Sequence, residues 1–279
     1  MTGLEKQQIH ESEWDYLVIL DACRYDYFKD NYENHLEGEL DKVESRGSAT
    51  PEWLVETFSS RYNYTYITAN PYVNSKESLD NLVNELEEKW VPRDKFMEIH
   101  EAWAEIWDEE TGTVRPEELK KYSLDKISGG PGKTIIHFVQ PHRPFISYQG
   151  EEGHTWMPNK EGNKQDLKNK TLSKTQPVWK PIFHTLPRKW KYKIRGMAGL
   201  EDQYREFAEN IGEEKLTELY TKDLNLVLEQ ISEIVEKLDG KVVVTADHGE
   251  SFGENYEWGH PLNSKNPVLV EVPWLEVER

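Results

Sequence analysis

Five short stretches carry metal- or anion-binding residue types, three of them where apolar runs stop. Asp21 closes Tyr16-Leu17-Val18-Ile19-Leu20-Asp21, and His142 follows Thr134-Ile135-Ile136-His137-Phe138-Val139 and the dipeptide Gln140-Pro141. Asp247-His248-Gly249 follows Lys241-Val242-Val243-Val244-Thr245-Ala246, and His260 comes soon after in Trp258-Gly259-His260-Pro261. Converging carboxylates and imidazoles suit a divalent cation. Zinc takes such oxygen and nitrogen donors, and carboxylate-rich sets also suit manganese, magnesium or calcium. A lone Asp21 reads more readily as a turn residue. Asp247-His248-Gly249 sets two adjacent ligand types at the end of a buried run, where glycine lets the chain turn sharply. Taken together, these residues read better as a site than as separate structural features.

The fifth stretch, Arg46-Gly47-Ser48-Ala49-Thr50-Pro51-Glu52-Trp53-Leu54, supplies hydroxyls. Thr50 reads as an N-cap, Pro51 as the first helical residue and Glu52 as part of the first turn. The same geometry sets a hydroxyl against free N–H groups and the positive end of a helix dipole, where an anion is welcome. A metal on that oxygen would lower its pKa and make it nucleophilic.

The elements that must carry these residues are legible as periodicities. Continuous apolar runs at Tyr16–Asp21, Tyr64–Thr68, Thr134–Val139 and Lys241–Thr245 predict buried parallel strands, with a weaker fifth at Val268–Val272. Helical spacing predicts helices over Ser75–Trp90 and Glu213–Leu238, the latter stopping at Asp239-Gly240. Alternating strands and helices predict an α/β sandwich whose mixed, mostly parallel sheet is flanked by helices. In such sheets ligands bind beyond the carboxyl ends of the strands, where these residues lie. Residues 1–279 read as one domain carrying an insertion at 150–212 that is irregular, basic and aromatic. That segment reads either as a structural cap or as a lid over an anionic substrate.

Composition narrows the function. With 34 Lys+Arg against 52 Asp+Glu, the net charge is −18, which repels phosphate backbones and argues against nucleic acid as a partner. The mean hydropathy is −0.83, yet 10 Trp and 14 Tyr supply the large side chains a core needs. No stretch approaches the roughly 20 apolar residues of a membrane span. A single Cys excludes an internal disulfide. These features predict a soluble, cytoplasmic protein of unspecified oligomeric state.

The ordered motifs resemble those of the alkaline phosphatase superfamily. They are Val18-Ile19-Leu20-Asp21, Gly47-Ser48-Ala49-Thr50-Pro51, Pro141-His142-Arg143-Pro144, Thr245-Ala246-Asp247-His248-Gly249-Glu250 and Gly259-His260. The look is nearest the sulfatase-like branch, which holds sulfatases and metal-dependent phosphoglycol and phosphoethanolamine transferases. The resemblance implies an alkaline-phosphatase-like fold and a metal-dependent hydrolase or transferase of phosphate, less readily sulfate, esters. Its substrate would be an anionic small-molecule or glycan ester. By the same resemblance Asp21, Thr50, Asp247 and His248 would hold a divalent ion (zinc, manganese or calcium), and Thr50 would attack phosphorus, with Ser48 the alternative nucleophile. His142 and His260 would serve a partial second metal or the transferred group. Arg24 and Arg143 would add contacts to the anion, although an ion pair is at least as good a reading of each.

The sequence departs from the family in three places. No Cys or Ser begins an x-Pro-x-Arg pattern, so formylglycine chemistry is disfavoured. Ala22 replaces a second Asp after the first strand, and Phe138 stands where two-metal phosphatases carry an Asp before the histidine. The rival reading is therefore a non-catalytic anion-binding member of the same fold. Elsewhere, Gly129-Gly130-Pro131-Gly132 reads as a turn, Cys23 as a small packed residue, and His137 as a satisfied core histidine. Glu250 reads as a partner of a ligand imidazole or a cap.

Overall fold

The computed structural model describes residues 3–83, 86, 89–127, 132–148 and 203–278. Nine strands are described: β1 (Tyr16–Asp21), β2 (Gly38–Glu44), β3 (Tyr64–Thr68), β4 (Glu98–Glu101), β5 (Lys133–Pro141), β6 (Val242–Ala246), β7 (Ser251–Phe252), β8 (Trp258–Gly259) and β9 (Glu271–Val277). Seven of them form one sheet in the order β2-β9-β6-β1-β5-β3-β4, and β7 pairs with β8. β1 lies between β5 and β6, parallel to both, while β9 runs antiparallel to β6 and β2. This is the mixed, mostly parallel sheet that the alternation predicts.

The period-two geometry of a strand divides β1 between two cores. Val18 and Leu20 face a layer built from α1 (Tyr25–Asn31), α4 (Ala102–Glu105), α5 (Pro116–Lys126) and α7 (Glu213–Val235), which contribute Phe28, Ala102, Leu119 and the row Leu224, Val227, Leu228, Ile231 and Ile234. Leu17 and Ile19 face the opposite layer, where α2 (Thr50–Thr57) and α3 (Leu79–Leu82) supply Trp53, Leu54 and Leu79. A third cluster packs α6 (Gln203–Ile211) on the start of α7 through Tyr204, Phe207, Leu216 and Tyr220. With helices on both faces, the architecture is a three-layer α/β sandwich.

Two expectations shift. The helix expected over Ser75–Trp90 is, among the described residues, only the turn Leu79–Leu82. The Leu79 N–H donates to the Trp90 carbonyl at 2.8 Å, whereas a continuous helix would set those residues about 16 Å apart. The strand expected at Val268–Val272 begins later. Pro267–Val270 forms one helical turn, α8, because Pro267 starts it and Leu269 and Val270 donate back to the Asn266 carbonyl; β9 follows from Glu271. Its antiparallel neighbour β2 was not apparent, since an edge strand of alternating charge lacks an apolar run. Most of the 150–212 segment lies outside the described residues, as does the Gly129-Gly130-Pro131 turn; the described end of the segment is the helix α6. No described helix is long and apolar enough to cross a membrane.

Candidate metal centre and active site

Sheet register brings the first cluster together. Leu20 pairs with Ala246, and Asp21 pairs with Pro141, so Asp21 leaves β1 beside Asp247 on one flank and His142 on the other. Asp247 is held from several sides. Its Oδ1 accepts the N–H groups of Ala22 at 3.1 Å and His248 at 2.8 Å, and its main-chain carbonyl accepts the Ser45 hydroxyl. Ala22 takes a left-handed conformation, φ 56°, unusual for a residue with a Cβ. Tyr220 pins this turn, its hydroxyl donating to the Ala22 carbonyl at 2.6 Å and accepting the Arg24 N–H at 2.9 Å. Gly249 is required by close packing, for a Cβ there would lie 1.9 Å from the Val268 carbonyl oxygen.

The remaining donors face inward. Thr50 Oγ1 donates to Asp247 Oδ2 at 2.7 Å and lies 3.2 Å from His248 Nε2. His248 Nε2 is 3.6 Å from Asp21 Oδ1 and 3.5 Å from Asp247 Oδ2. His248 Nδ1 lies 2.8 Å from the Gly249 carbonyl, which can only accept, so Nδ1 carries the proton and Nε2 offers its lone pair to the cluster. Asn70 Nδ2 donates to Asp21 Oδ2 at 2.7 Å, and its own Oδ1 accepts the Tyr72 N–H. Asp21 Oδ1 is thereby left facing the cluster.

These four residues are buried. Burial, reinforced by the charge of Asp247, pushes the Asp21 carboxyl well above its ordinary range; burial also raises Asp247. Burial, then His260, holds His248 far below its ordinary value. Two buried carboxylates beside a neutral imidazole are costly without a cation. The potential ligand atoms of Asp21, Asp247 and His248 lie within 4.8 Å of one another, and oxygen and nitrogen donors of this kind fit a divalent ion.

A second cluster adjoins the first. Atoms of His142, Glu250 and His260 also lie within 4.8 Å of one another. His260 Nδ1 is 3.0 Å from Glu250 Oε1, whereas the buried Glu250 Oε2 has no hydrogen-bond partner among the described residues. The His260 ring centroid lies 4.6 Å from that of His248 and 5.0 Å from that of His142. Burial drives His142 well below its ordinary value; it would lower His260 too, but the Glu250 charge and hydrogen bond more than offset that.

The structure therefore joins Asp21, Thr50, Asp247 and His248, and places His142 and His260 next door. Ser48 is elsewhere: its Oγ lies 2.9 Å from Glu52 Oε2 and 2.8 Å from the Pro261 carbonyl, and accepts the Ser264 N–H at 3.0 Å. Arg24 is paired, bidentate to Asp26 and 2.6 Å from Glu254, so the ion-pair reading describes it. The Arg143 guanidinium lies over the Tyr204 and Phe207 rings, 5.2 and 5.3 Å from their centroids. Thr50 is not the expected N-cap. Ala49 takes that place, and the Thr50 hydroxyl goes to Asp247 instead of a helix N–H. Glu250 is an imidazole partner, as one of its two readings had it.

Sequence reasoning missed Asn70 and half of His137. His137 Nδ1 bonds the Tyr66 hydroxyl at 2.9 Å, but Nε2 lies 3.8 Å from Asp247 Oδ2 with no hydrogen-bond partner among the described residues. Burial lowers its pKa to about 4. The available signal was strand alternation: Ile136 and Phe138 face one layer, so His137 faces the other, toward α2.

No protein-family model matches the sequence, and no curated protein matches it. Solved structures do. The chain is similar to the soluble domain of lipooligosaccharide phosphoethanolamine transferase A from Neisseria meningitidis, with a TM-score of 0.52 and 13% identity over 99% of this chain and 80% of that one. It is also similar to the integral membrane protein lipooligosaccharide phosphoethanolamine transferase A from the same organism, again at TM-score 0.52 and 13% identity, over 99% of this chain and 50% of that one. The chain thus spans half the length of that membrane protein. At this identity the likeness establishes the fold: an alkaline-phosphatase-like α/β sandwich, as the ordered motifs imply.

Proposed function

We propose that this chain is a divalent-metal-dependent transferase or hydrolase of phosphate esters that uses Thr50 as its nucleophile. The observation that carries the reading is the placement of Thr50 Oγ1, 2.7 Å from Asp247 Oδ2 and 3.2 Å from His248 Nε2, inside a buried carboxylate–imidazole cluster. A cation held by Asp21, Thr50, Asp247 and His248 would neutralise the carboxylates, acidify the hydroxyl and stabilise charge on the phosphoryl oxygens.

The chain's own groups have distinct tasks. Asp247 Oδ2 stands ready to take the Thr50 proton as Oγ1 attacks phosphorus. The ester bond to the leaving group breaks, the released oxygen takes up the proton that Asp247 received and departs as the alcohol, and the phosphoryl group stays on Thr50. Water or an acceptor alcohol then attacks that phosphorus, and the freed Thr50 oxygen recovers a proton. His142 and His260 border this space and offer imidazoles to the oxygens of the transferred or accepting group. The likeness in fold to a phosphoethanolamine transferase domain supports group transfer as well as hydrolysis, and makes a phosphoethanolamine lipid a donor worth testing.

The test is turnover of p-nitrophenyl phosphate, bis-p-nitrophenyl phosphate and a phosphoethanolamine lipid with zinc or manganese added, together with mass spectrometry of trapped enzyme. Turnover and a phosphorylated Thr50 are expected. A protein that takes up no divalent metal and turns over none of the three would instead be the non-catalytic anion-binding form.

A further inference from the structure

We propose that Gln7 is a positioning residue for the Thr50–Asp247 pair, setting the spacing between the helix that carries the hydroxyl and the strand that delivers the carboxylate. The inference rests on the reading of Thr50 and Asp247 as reacting and metal-binding groups. Gln7 lies in the N-terminal segment, whose main chain runs along the end of β2: the Gln7 N–H donates to the Glu44 carbonyl at 2.9 Å, and Lys6 bridges Glu44 in parallel.

Its side chain is wholly buried and almost fully engaged. Nε2 donates to the Ala246 carbonyl at 2.7 Å and to Thr245 Oγ1 at 2.9 Å, while Oε1 accepts the Trp53 indole N–H at 2.8 Å. The orientation of the amide is forced. An indole N–H can only donate and a carbonyl can only accept, so reversing the amide would break both bonds. Thr245 Oγ1 spends its own proton on the Pro273 carbonyl, at 2.6 Å, and so receives that of Gln7. The Gln7 carbonyl accepts the Arg46 guanidinium at 3.2 and 3.3 Å, which adds the loop leading to α2.

The positions of these partners give the amide its consequence. Ala246 immediately precedes Asp247, and Trp53 lies one helical turn beyond Thr50. Among the described residues no main-chain hydrogen bond joins α2 to β6. The 2.7 Å approach of Thr50 to Asp247 therefore depends on side chains, and Gln7 supplies hydrogen bonds to both elements. A functional site tolerates errors of only about 0.5 Å, which apolar packing of Trp53 alone does not define.

The test uses the full chain. Gln7→Met keeps the volume and removes all three side-chain bonds; Trp53→Phe removes one. Leu228→Ala, in the core on the opposite face of the sheet, is the control for lost stability without a lost tie. Each is stripped of metal, checked for a cooperative melt, titrated with zinc by calorimetry and assayed on bis-p-nitrophenyl phosphate. The expected result is zinc affinity weakened about tenfold or more in Gln7→Met, with kcat reduced and KM unchanged. Trp53→Phe should share part of that loss, and the double variant should fall short of the sum because the two act through one contact. Leu228→Ala should lower the melting temperature and leave zinc affinity as in wild type. If Gln7→Met does not fold, Trp53→Phe decides. Wild-type zinc affinity and kcat in the folded variants would overturn the positioning role. If wild-type protein itself bound no zinc, the site reading would fail and this inference with it.

Discussion

The two adjoining clusters are built on different principles. Asp21, Thr50, Asp247 and His248 sit at ends of regular elements, and their outward-facing atoms are engaged: Asp21 Oδ2 by Asn70, Asp247 Oδ1 by two main-chain N–H groups, and His248 Nδ1 by the Gly249 carbonyl. Only the atoms that would meet a cation or a phosphoryl group remain turned inward. His142, Glu250 and His260 come from connecting segments, the His260 side chain is 28% exposed, and Glu250 keeps a buried oxygen without a partner among the described residues. The first cluster is preorganised, as differential stabilisation of a transition state requires. The second still has bonding capacity to offer, as a surface that meets varying substrate oxygens requires.

The sharpest way to break this comparison is at Thr50. Thr50→Ala should abolish turnover and the trapped phospho-enzyme, a loss on the order of 10^6-fold when a catalytic nucleophile is removed. Ser48→Ala should retain the phospho-enzyme, since the Ser48 hydroxyl is occupied with Glu52, Pro261 and Ser264. A phospho-enzyme that survives Thr50→Ala and disappears in Ser48→Ala would reverse the assignment and detach the nucleophile from the preorganised cluster.

A smaller effect is expected at Glu250. Glu250→Gln keeps the shape but removes the charge that favours a protonated His260. Turnover should fall about 10–100-fold, the range typical of partners that orient a functional imidazole. Zinc affinity at the first cluster should stay within about twofold, since among the described residues Glu250 makes no hydrogen bond to Asp21, Thr50, Asp247 or His248 and reaches them only as a neighbouring charge. Calorimetry on the metal-free variant checks the latter. A large loss of zinc affinity would merge the two clusters into a single binding unit.

How far each cluster was legible in the sequence follows the same division. β1 and β3 have the bounds their apolar runs predict, because a strand buried on both faces writes a continuous apolar word that ends where the polar site begins. Asp21 and Asp247-His248 were readable for that reason. Asn70, the inward side of His137 and Gln7 were not. Their partners lie across the sheet or far along the chain, 49 residues away for Asn70 to Asp21 and 239 for Gln7 to Ala246. Local periodicity carries nothing of such pairings. The Ser75–Trp90 pattern misled for a related reason: Leu79, Val83 and Trp90 do face one core, but the Leu79 N–H donates to the Trp90 carbonyl, a pairing that helical spacing does not make.

The smallest effect on turnover, and the finest probe of what holds the second cluster, is at Asp223 on α7. Its buried carboxylate accepts the N–H groups of Ile146 at 2.6 Å and Ser147 at 3.0 Å, anchoring the chain just beyond His142. Burial raises its pKa to about 6, partly offset by those hydrogen bonds. An unfolded Asp titrates near about 3.9. Between roughly pH 4 and pH 6 the folded state therefore holds a proton that the unfolded state has lost. This group alone makes stability fall as pH rises through that window and level off above it, by about 3 kcal/mol at most. Asp223→Asn cannot titrate. The difference in urea midpoint between wild type and variant should thus shift in the variant's favour from pH 4 to pH 6 and then hold steady to pH 8. Turnover of the variant at pH 7 should stay within a few-fold, because the Asn oxygen can still accept one of the two N–H bonds. Midpoints that track each other across the whole range would show that the carboxylate is not desolvated in the folded protein, and that the chain beyond His142 is held more loosely than the cluster beside it.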